Sequence, residues 1–282
     1  MYKSAVGIIT RNSSTYIQEC IAFNYMIGFD KIIIGLDNCD DDTAEKIQKL
    51  PDEILEHVDV FDNGIHRPDF GFQHKGYQTI YDRYKDKVEW LAMFDDDEYF
   101  YDSKRRKIND LLNGISGDVG QIVLPWLNFN HNKQVLSAPP DVTRLAHFTT
   151  LCDSHRYYPI ECKVFIRLGN VVTNGNPGDW YYCHSAEVFG KIVTFDGKEQ
   201  HLPSGGTSIT PEHKETCLVH YITGSMEDFV NKYKNWKREK GLLNLPIGWS
   251  FDSLMQNSCD VADTRMSIYV EELKELLTKC KN

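Results

Sequence analysis

The chain has 282 residues, 41% of them hydrophobic and 26% charged, a globular composition with enough apolar mass for a sizeable core, which excludes intrinsic disorder. Its formal net charge of -10, from 31 basic and 41 acidic residues, opposes nucleic acid as a partner, and the short run Lys104-Arg105-Arg106-Lys107 reads as a solvated helix start. No stretch approaches the ~18 consecutive apolar residues of a membrane span. The eight cysteines include no Cys-x-x-Cys pair, which argues against a zinc ribbon and for free thiols in a reducing, cytoplasmic setting.

In chain order, residues 4 to 10 read as a buried strand, and Ser13 or Ser14 can cap a helix over 15 to 27 that Gly28 ends. Lys31 to Leu36 predicts a second strand, Asp37 to Asp42 a polar loop, Thr43 to Leu50 a helix and Val58 to Phe61 a third strand. Gln73 to Lys87 is helical in pattern, and Trp90 to Phe94 is the next strand. Gln121 to Phe129 is another; 130 to 160 is irregular; Cys162 to Leu168 and Val188 to Phe195 look extended. Leu218 to Tyr221 is a short strand, Ser225 caps a helix to about Lys240, and Thr264 to Lys281 is a final amphipathic helix. The alternation of strands and helices predicts an α/β fold, Rossmann-like, with a mostly parallel central sheet flanked by helices. Ligands of such sheets bind at the carboxyl ends of the strands, here after Ile9, Leu36 and Phe94.

Asp95-Asp96-Asp97-Glu98 directly follows the apolar strand Trp90 to Phe94. Strand alternation would turn Asp95 and Asp97 to one side, where paired carboxylates attract a hard, oxygen-preferring cation such as Mn²⁺ or Mg²⁺. An acidic loop in water is the plainer reading, but charge at the end of a buried strand costs desolvation unless something neutralises it. The run alone fits sugar transfer, nucleotidyl transfer or phosphate-ester hydrolysis. Asp37-Asn38 can hydrogen-bond a ribose or a base, though such residues also favour turns for local reasons. His220 ends the apolar run Cys217-Leu218-Val219.

The order of these signals resembles glycosyltransferase family 92 and its relatives. Asn12, Tyr16, Ile17 and Glu19 are similar to the family's Asn-Glu-x-x-Tyr-Ile-x-Glu opening, with Ser13 and Cys20 as departures. Gly28 to Ile34 with Asp37, Asn38 and Asp42 looks like its strand entry and Asp-Asn-x-Ser-x-Asp loop, with Asp40 in the serine position. Gln73-His74-Lys75-Gly76-Tyr77 resembles a Gln-x-x-Ala-Tyr helix start, and Asp95 to Tyr99 resembles Asp-x-Asp-Glu-Phe. Lys163 to Arg167 is similar to a Lys-x-Ile-x-Arg strand, and His220-Tyr221 with Ser225, Phe229 and Lys232 looks like the family's late His-Tyr motif, where Gly224 departs from a lysine.

That resemblance, over roughly residues 4 to 240, implies the type A glycosyltransferase fold and a metal-dependent enzyme. Such an enzyme moves a sugar from a nucleoside-diphosphate donor, UDP-linked by preference, to a saccharide or glycan hydroxyl, with inversion. It implies one domain over 1–282: a nucleotide-sugar half over 1–120, an acceptor-side half over 121–240 and a helical appendage over 241–282. Asp95, Asp97 and His220 would hold Mn²⁺ or Mg²⁺. Thr10, Arg11, Asn12, Asp37, Gln73, Lys75 and Asp96 would meet the nucleotide, and Lys163 and Lys232 its diphosphate. Asp153, Glu161 and Asp179 are the candidates for the base, Asp153 first, and Trp126, Trp180 and Tyr181 for stacking on a sugar. A non-catalytic carbohydrate- or cation-binding module and a metal-dependent phosphoesterase are the competing classes; the second normally needs two metals and more clustered ligands.

Overall fold

The computed structural model describes residues 1–64, 72–152, 162–172, 184–201, 215–232 and 258–281. β1 (Tyr2–Thr10) is buried without interruption from Ser4 to Thr10, because parallel strands cover both its edges and helices both its faces. β2 (Lys31–Leu36) lies on one side and β4 (Val88–Phe94) on the other, with β3 (Val58–Asp62) beyond β2. α1 (Ile17–Met26) covers one face. α4 (Phe72–Tyr84) covers the other and approaches β1 at Gly76, where a Cβ would stand 2.4 Å from the Ile9 Cδ1. The helices between β2 and β3 are short: α2 (Thr43–Gln48) and α3 (Asp52–Leu55).

Beyond β4 the sheet is mixed. β8 (Cys162–Arg167) runs antiparallel between β4 and β6 (Val119–Asn128), and β10 (Thr216–His220) runs parallel to β6. β5 (Glu98–Asp102) then pairs antiparallel with β10, giving the order β3-β2-β1-β4-β8-β6-β10-β5, with β9 (Lys191–Val193) beside β6. This order forces curvature. A flat path from β4 to β5 would span about 19 Å in four steps of ~4.8 Å. Residues 94 to 98 reach at most about 14 Å. The sheet therefore curls until its last strand returns to the turn that follows β4.

Two expectations change here. Asp95 to Asp97 form a turn rather than the end of a strand, closed by the Glu98 amide donating to the Asp95 carbonyl at 3.1 Å. The stretch read as irregular contains α6 (Arg144–His147) and β7 (Thr150–Cys152), the latter paired with β11 (Ser258–Ala262); α5 (Ile108–Asn113) begins just after the run Lys104 to Lys107 that reads as a helix start. The last helix, α7 (Val270–Leu277), follows a 3₁₀ turn over Arg265–Tyr269 and lies on α1. There the Tyr269 ring meets Phe23 edge-on at 5.4 Å and its hydroxyl donates to the Asp102 carbonyl at 3.0 Å. This explains why α1 is buried nearly all round. Among the described residues no helix is long and apolar enough to cross a membrane.

Candidate functional site

The curl brings the ends of β1, β4, β6, β8 and β10 around one acidic turn. Asp96 points toward the loop after β1: the Thr10 hydroxyl donates to its Oδ2 at 2.5 Å, and the Ser13 hydroxyl donates to the same oxygen. Burial, then the neighbouring Asp97 charge, raises the Asp96 pKa. Asp95 and Asp97 have partners other than those of Asp96. Asp95 accepts from Gln73 Nε2 at 3.2 Å and the Tyr77 hydroxyl at 3.4 Å, and its Oδ2 takes Lys163 Nζ at 3.1 Å. Asp97 is buried, and its Oδ2 accepts from Lys232 Nζ at 2.7 Å.

The strand registers account for His220. It pairs with Glu98 across the β10–β5 ladder and with Asn128 across the β10–β6 ladder. Its ring lies 4.4 Å from that of Trp126. Nδ1 stands 3.1 Å from the Asn128 side-chain oxygen, an acceptor that assigns the ring proton to Nδ1 and leaves a lone pair on Nε2. That lone pair faces Asp97 Oδ1 at 3.5 Å, and Oδ1 accepts no hydrogen bond. Burial pulls the His220 pKa down to about 4, overriding the nearby Asp97 carboxylate, so the imidazole is neutral at pH 7. Burial alone would raise the Asp97 pKa, but Lys232 and then His220 hold it below the ordinary carboxylate range.

Lys163 is 1% exposed and sits between two carboxylates, 3.1 Å from Asp95 and 3.4 Å from Glu98. Burial pushes the Glu98 pKa well up, Lys163 opposes the shift, and Glu98 Oε1 accepts no hydrogen bond. Lys163 is thus placed to balance the acidic turn from inside the sheet. Lys232 reaches it from the outside with 43% of its side chain exposed.

The loops after β1 and β2 meet. The Asp37 amide donates to the Thr10 carbonyl at 2.8 Å, and the Asn12 side-chain amide donates to Asp40 at 2.6 Å. Asn12 and Asn38 both have φ of 51°, the left-handed conformation asparagine tolerates. Arg11 Nη1 is 3.9 Å from Asp37 Oδ2. Lys75 is exposed, and no described contact ties it to the acidic turn. Trp126 is buried under His220 rather than offered to a sugar face. Asp153, Glu161, Asp179, Trp180 and Tyr181 lie outside the described residues.

Sequence reasoning missed what stands behind the turn. Arg144, on α6, donates from Nη1 to the Asp96 carbonyl at 3.1 Å, and its own amide donates to Glu19 Oε2 at 2.8 Å. The only local signal was Thr143, whose hydroxyl caps α6 by accepting from the Ala146 amide. Burial raises the Glu19 pKa to about 7, and the Arg144 amide and charge oppose it only in part. A carboxyl raised in the folded state binds more protons folded than unfolded across that window. Its contribution to stability is therefore full below its unfolded value and lost as pH rises through about 7. Between pH 5 and pH 8 the protein should lose up to about 3 kcal/mol by urea unfolding, and Glu19→Gln should flatten most of that slope. An unchanged slope in the variant would exclude Glu19 as its source.

The donor chemistry suits a hard divalent cation. Asp97 Oδ1 and His220 Nε2, a buried carboxylate oxygen and a neutral imidazole nitrogen with no hydrogen between them, repel one another unless a positive charge lies nearby. Each of the Asp95 and Asp97 charges is felt by His220. Among the described residues, no set of three or more His, Cys, Asp or Glu side chains is gathered in a metal-binding cluster; the ammonium groups of Lys163 and Lys232 occupy one oxygen of Asp95 and one of Asp97.

No family profile matches this sequence, and no curated protein matches it as a relative. By structure, the chain is similar to TarS of S. aureus, with a TM-score of 0.38 and 13% identity over 86% of this chain and 40% of that one. It is also similar to glucosyl-3-phosphoglycerate synthase from Mycobacterium tuberculosis, solved in complex with Mn²⁺, UDP and glucosyl-3-phosphoglycerate, with a TM-score of 0.29 and 11% identity. That match covers 46% of this chain and 44% of the other. The chain thus spans less than half the length of either protein.

Proposed function

We propose that the chain is a glycosyltransferase of the type A fold, transferring a sugar from a nucleoside diphosphate, UDP by preference, to a saccharide or glycan hydroxyl with inversion. The observation that carries the proposal is the pair of facing donors, Asp97 Oδ1 and His220 Nε2, at the carboxyl edge of a doubly covered sheet, with the lysine ammoniums beside them. Asp97 and His220, with Asp95, would hold Mn²⁺ or Mg²⁺. Such a cation, when bound, neutralises charge on a departing diphosphate.

The other roles belong to the chain's own side chains. Lys232, half out in solvent, is free to exchange Asp97 for a phosphate oxygen, whereas Lys163 is locked inside and balances Asp95 and Glu98. Asp96, bound by Thr10 and Ser13, ties the acidic turn to the loop after β1, where Arg11, Asn12 and Asp37 would hold the nucleoside. In an inverting transfer the acceptor oxygen bonds to the anomeric carbon as the bond to the diphosphate oxygen breaks. A carboxylate takes the acceptor's proton, and Asp153, Glu161 and Asp179 remain the candidates. Release of UDP from UDP-sugars, or of GDP from GDP-sugars, in Mn²⁺ tests the proposal.

A further inference from the structure

The lysine that meets Asp97 from outside stands on a helix that begins at residue 226, and that helix is held in an unusual way. Ser225 and Asp228 form a reciprocal cap: the Asp228 amide donates to Ser225 Oγ at 3.0 Å, and the Ser225 amide and hydroxyl both donate to Asp228 Oδ2 at 2.9 Å. Asp228 is also bound from outside its helix. The Tyr16 hydroxyl donates to Oδ2 at 3.1 Å, and the Ser137 hydroxyl donates to Oδ1 at 2.6 Å. The strap over 134–138 completes the anchor, since the Met226 and Glu227 amides donate to the Gln134 and Val135 carbonyls. Gly224, at φ +58°, lets the chain pass so close that a Cβ there would meet Asp228 at 2.7 Å.

Tyr16 is the member that reaches back to the acidic turn. It is buried, its hydroxyl accepts from the Ala138 amide at 3.0 Å, and its ring face lies 3.7 Å from the Arg144 guanidinium carbon. Arg144 in turn holds the Asp96 carbonyl. The contacts form a closed ring: Asp96 main chain, Arg144, Tyr16, Asp228, the helix, Lys232 and Asp97. A ring closed by contacts between residues 48 to 212 positions apart fixes relative position better than any one contact, because each arm limits the freedom left to the others.

We propose that Tyr16 is a positioning residue for Lys232: its hydroxyl on Asp228 and its ring on Arg144 set where that ammonium stands relative to the acidic turn. The consequence for donor binding rests on the glycosyltransferase reading above; the positioning itself does not. Tyr16 therefore acts through Lys232, and the two should not behave as independent sites.

The test uses the full chain, with hydrogen exchange on the free protein and calorimetry with UDP and Mn²⁺. Tyr16→Phe should speed exchange of the amides over 226–232 by about tenfold, with the exchange of β1 unchanged. It should weaken UDP·Mn²⁺ binding about tenfold in the native background, but less than about twofold in a Lys232→Met background. Asp228→Ala removes the same contact together with the cap and the Ser137 bond, and should speed exchange over 226–232 at least as much. Unchanged exchange over 226–232, or an equal loss of affinity with and without Lys232, overturns the proposal. If the unaltered protein binds no UDP, the glycosyltransferase reading falls, and the exchange result alone decides the role of Tyr16.

Discussion

Asp97→Asn should weaken UDP·Mn²⁺ binding by on the order of 100-fold or more while leaving the fold intact. The expected size follows from the role: a carboxylate that anchors a cation against a diphosphate contributes several kcal/mol, and each 1.4 kcal/mol is about tenfold in affinity. The mildness toward folding follows from the surroundings. Asp97 Oδ1 is already without a hydrogen bond, so an amide nitrogen there breaks none and can donate to His220 Nε2. Its main partner, Lys232, is exposed enough to return its ammonium to water. The asparagine oxygen can still accept from Lys232. Calorimetry and a thermal melt on the same sample separate the two effects. Affinity close to that of the unaltered protein would remove Asp97 from the cation site.

Lys163→Met should act on stability instead, costing about 3–5 kcal/mol, the range expected when one partner of a buried ion pair is removed. The lysine is 1% exposed and faces Asp95 and the fully buried Glu98. Without it, Glu98 must take up a proton or stay charged in a low-dielectric site, and its Oε1 has no hydrogen bond to soften either outcome. Adding Glu98→Gln should restore part of the loss, because a neutral amide replaces the stranded carboxyl. Denaturant midpoints of the two variants measure this. A Lys163→Met protein within about 1 kcal/mol of the original would mean that the pair contributes little net stability.

The first half of the fold was legible in the sequence because apolar runs such as Ala5 to Ile9 and Ile32 to Ile34 are buried on both faces and bounded by turn residues. The second half was harder for a physical reason. β5 begins with Glu98 and ends with Asp102, both wholly buried and both with dedicated partners, Lys163 and Arg106. A strand whose ends are charged carries no hydrophobic signature. The partners of Glu98 and Asp97, Lys163 and Lys232, were named from resemblance, but their division into an inner and an outer cation depends on curvature that no local pattern encodes. His220 could be nominated from its place after an apolar run; its approach to Asp97 follows only from the β10 register. Arg144 and Glu19 were missed as a pair because 125 residues separate them and their bond runs from a backbone amide, which leaves no side-chain pattern to read.

The most direct measurement is release of the nucleoside diphosphate by the full chain, UDP from UDP-glucose and other UDP-sugars and GDP from GDP-sugars, with Mn²⁺ and with excess chelator. The account predicts release from at least one UDP-sugar in Mn²⁺, suppressed by chelator and reduced at least about 100-fold in Asp97→Asn. UDP release that persists undiminished in chelator, or in Asp97→Asn, would contradict it.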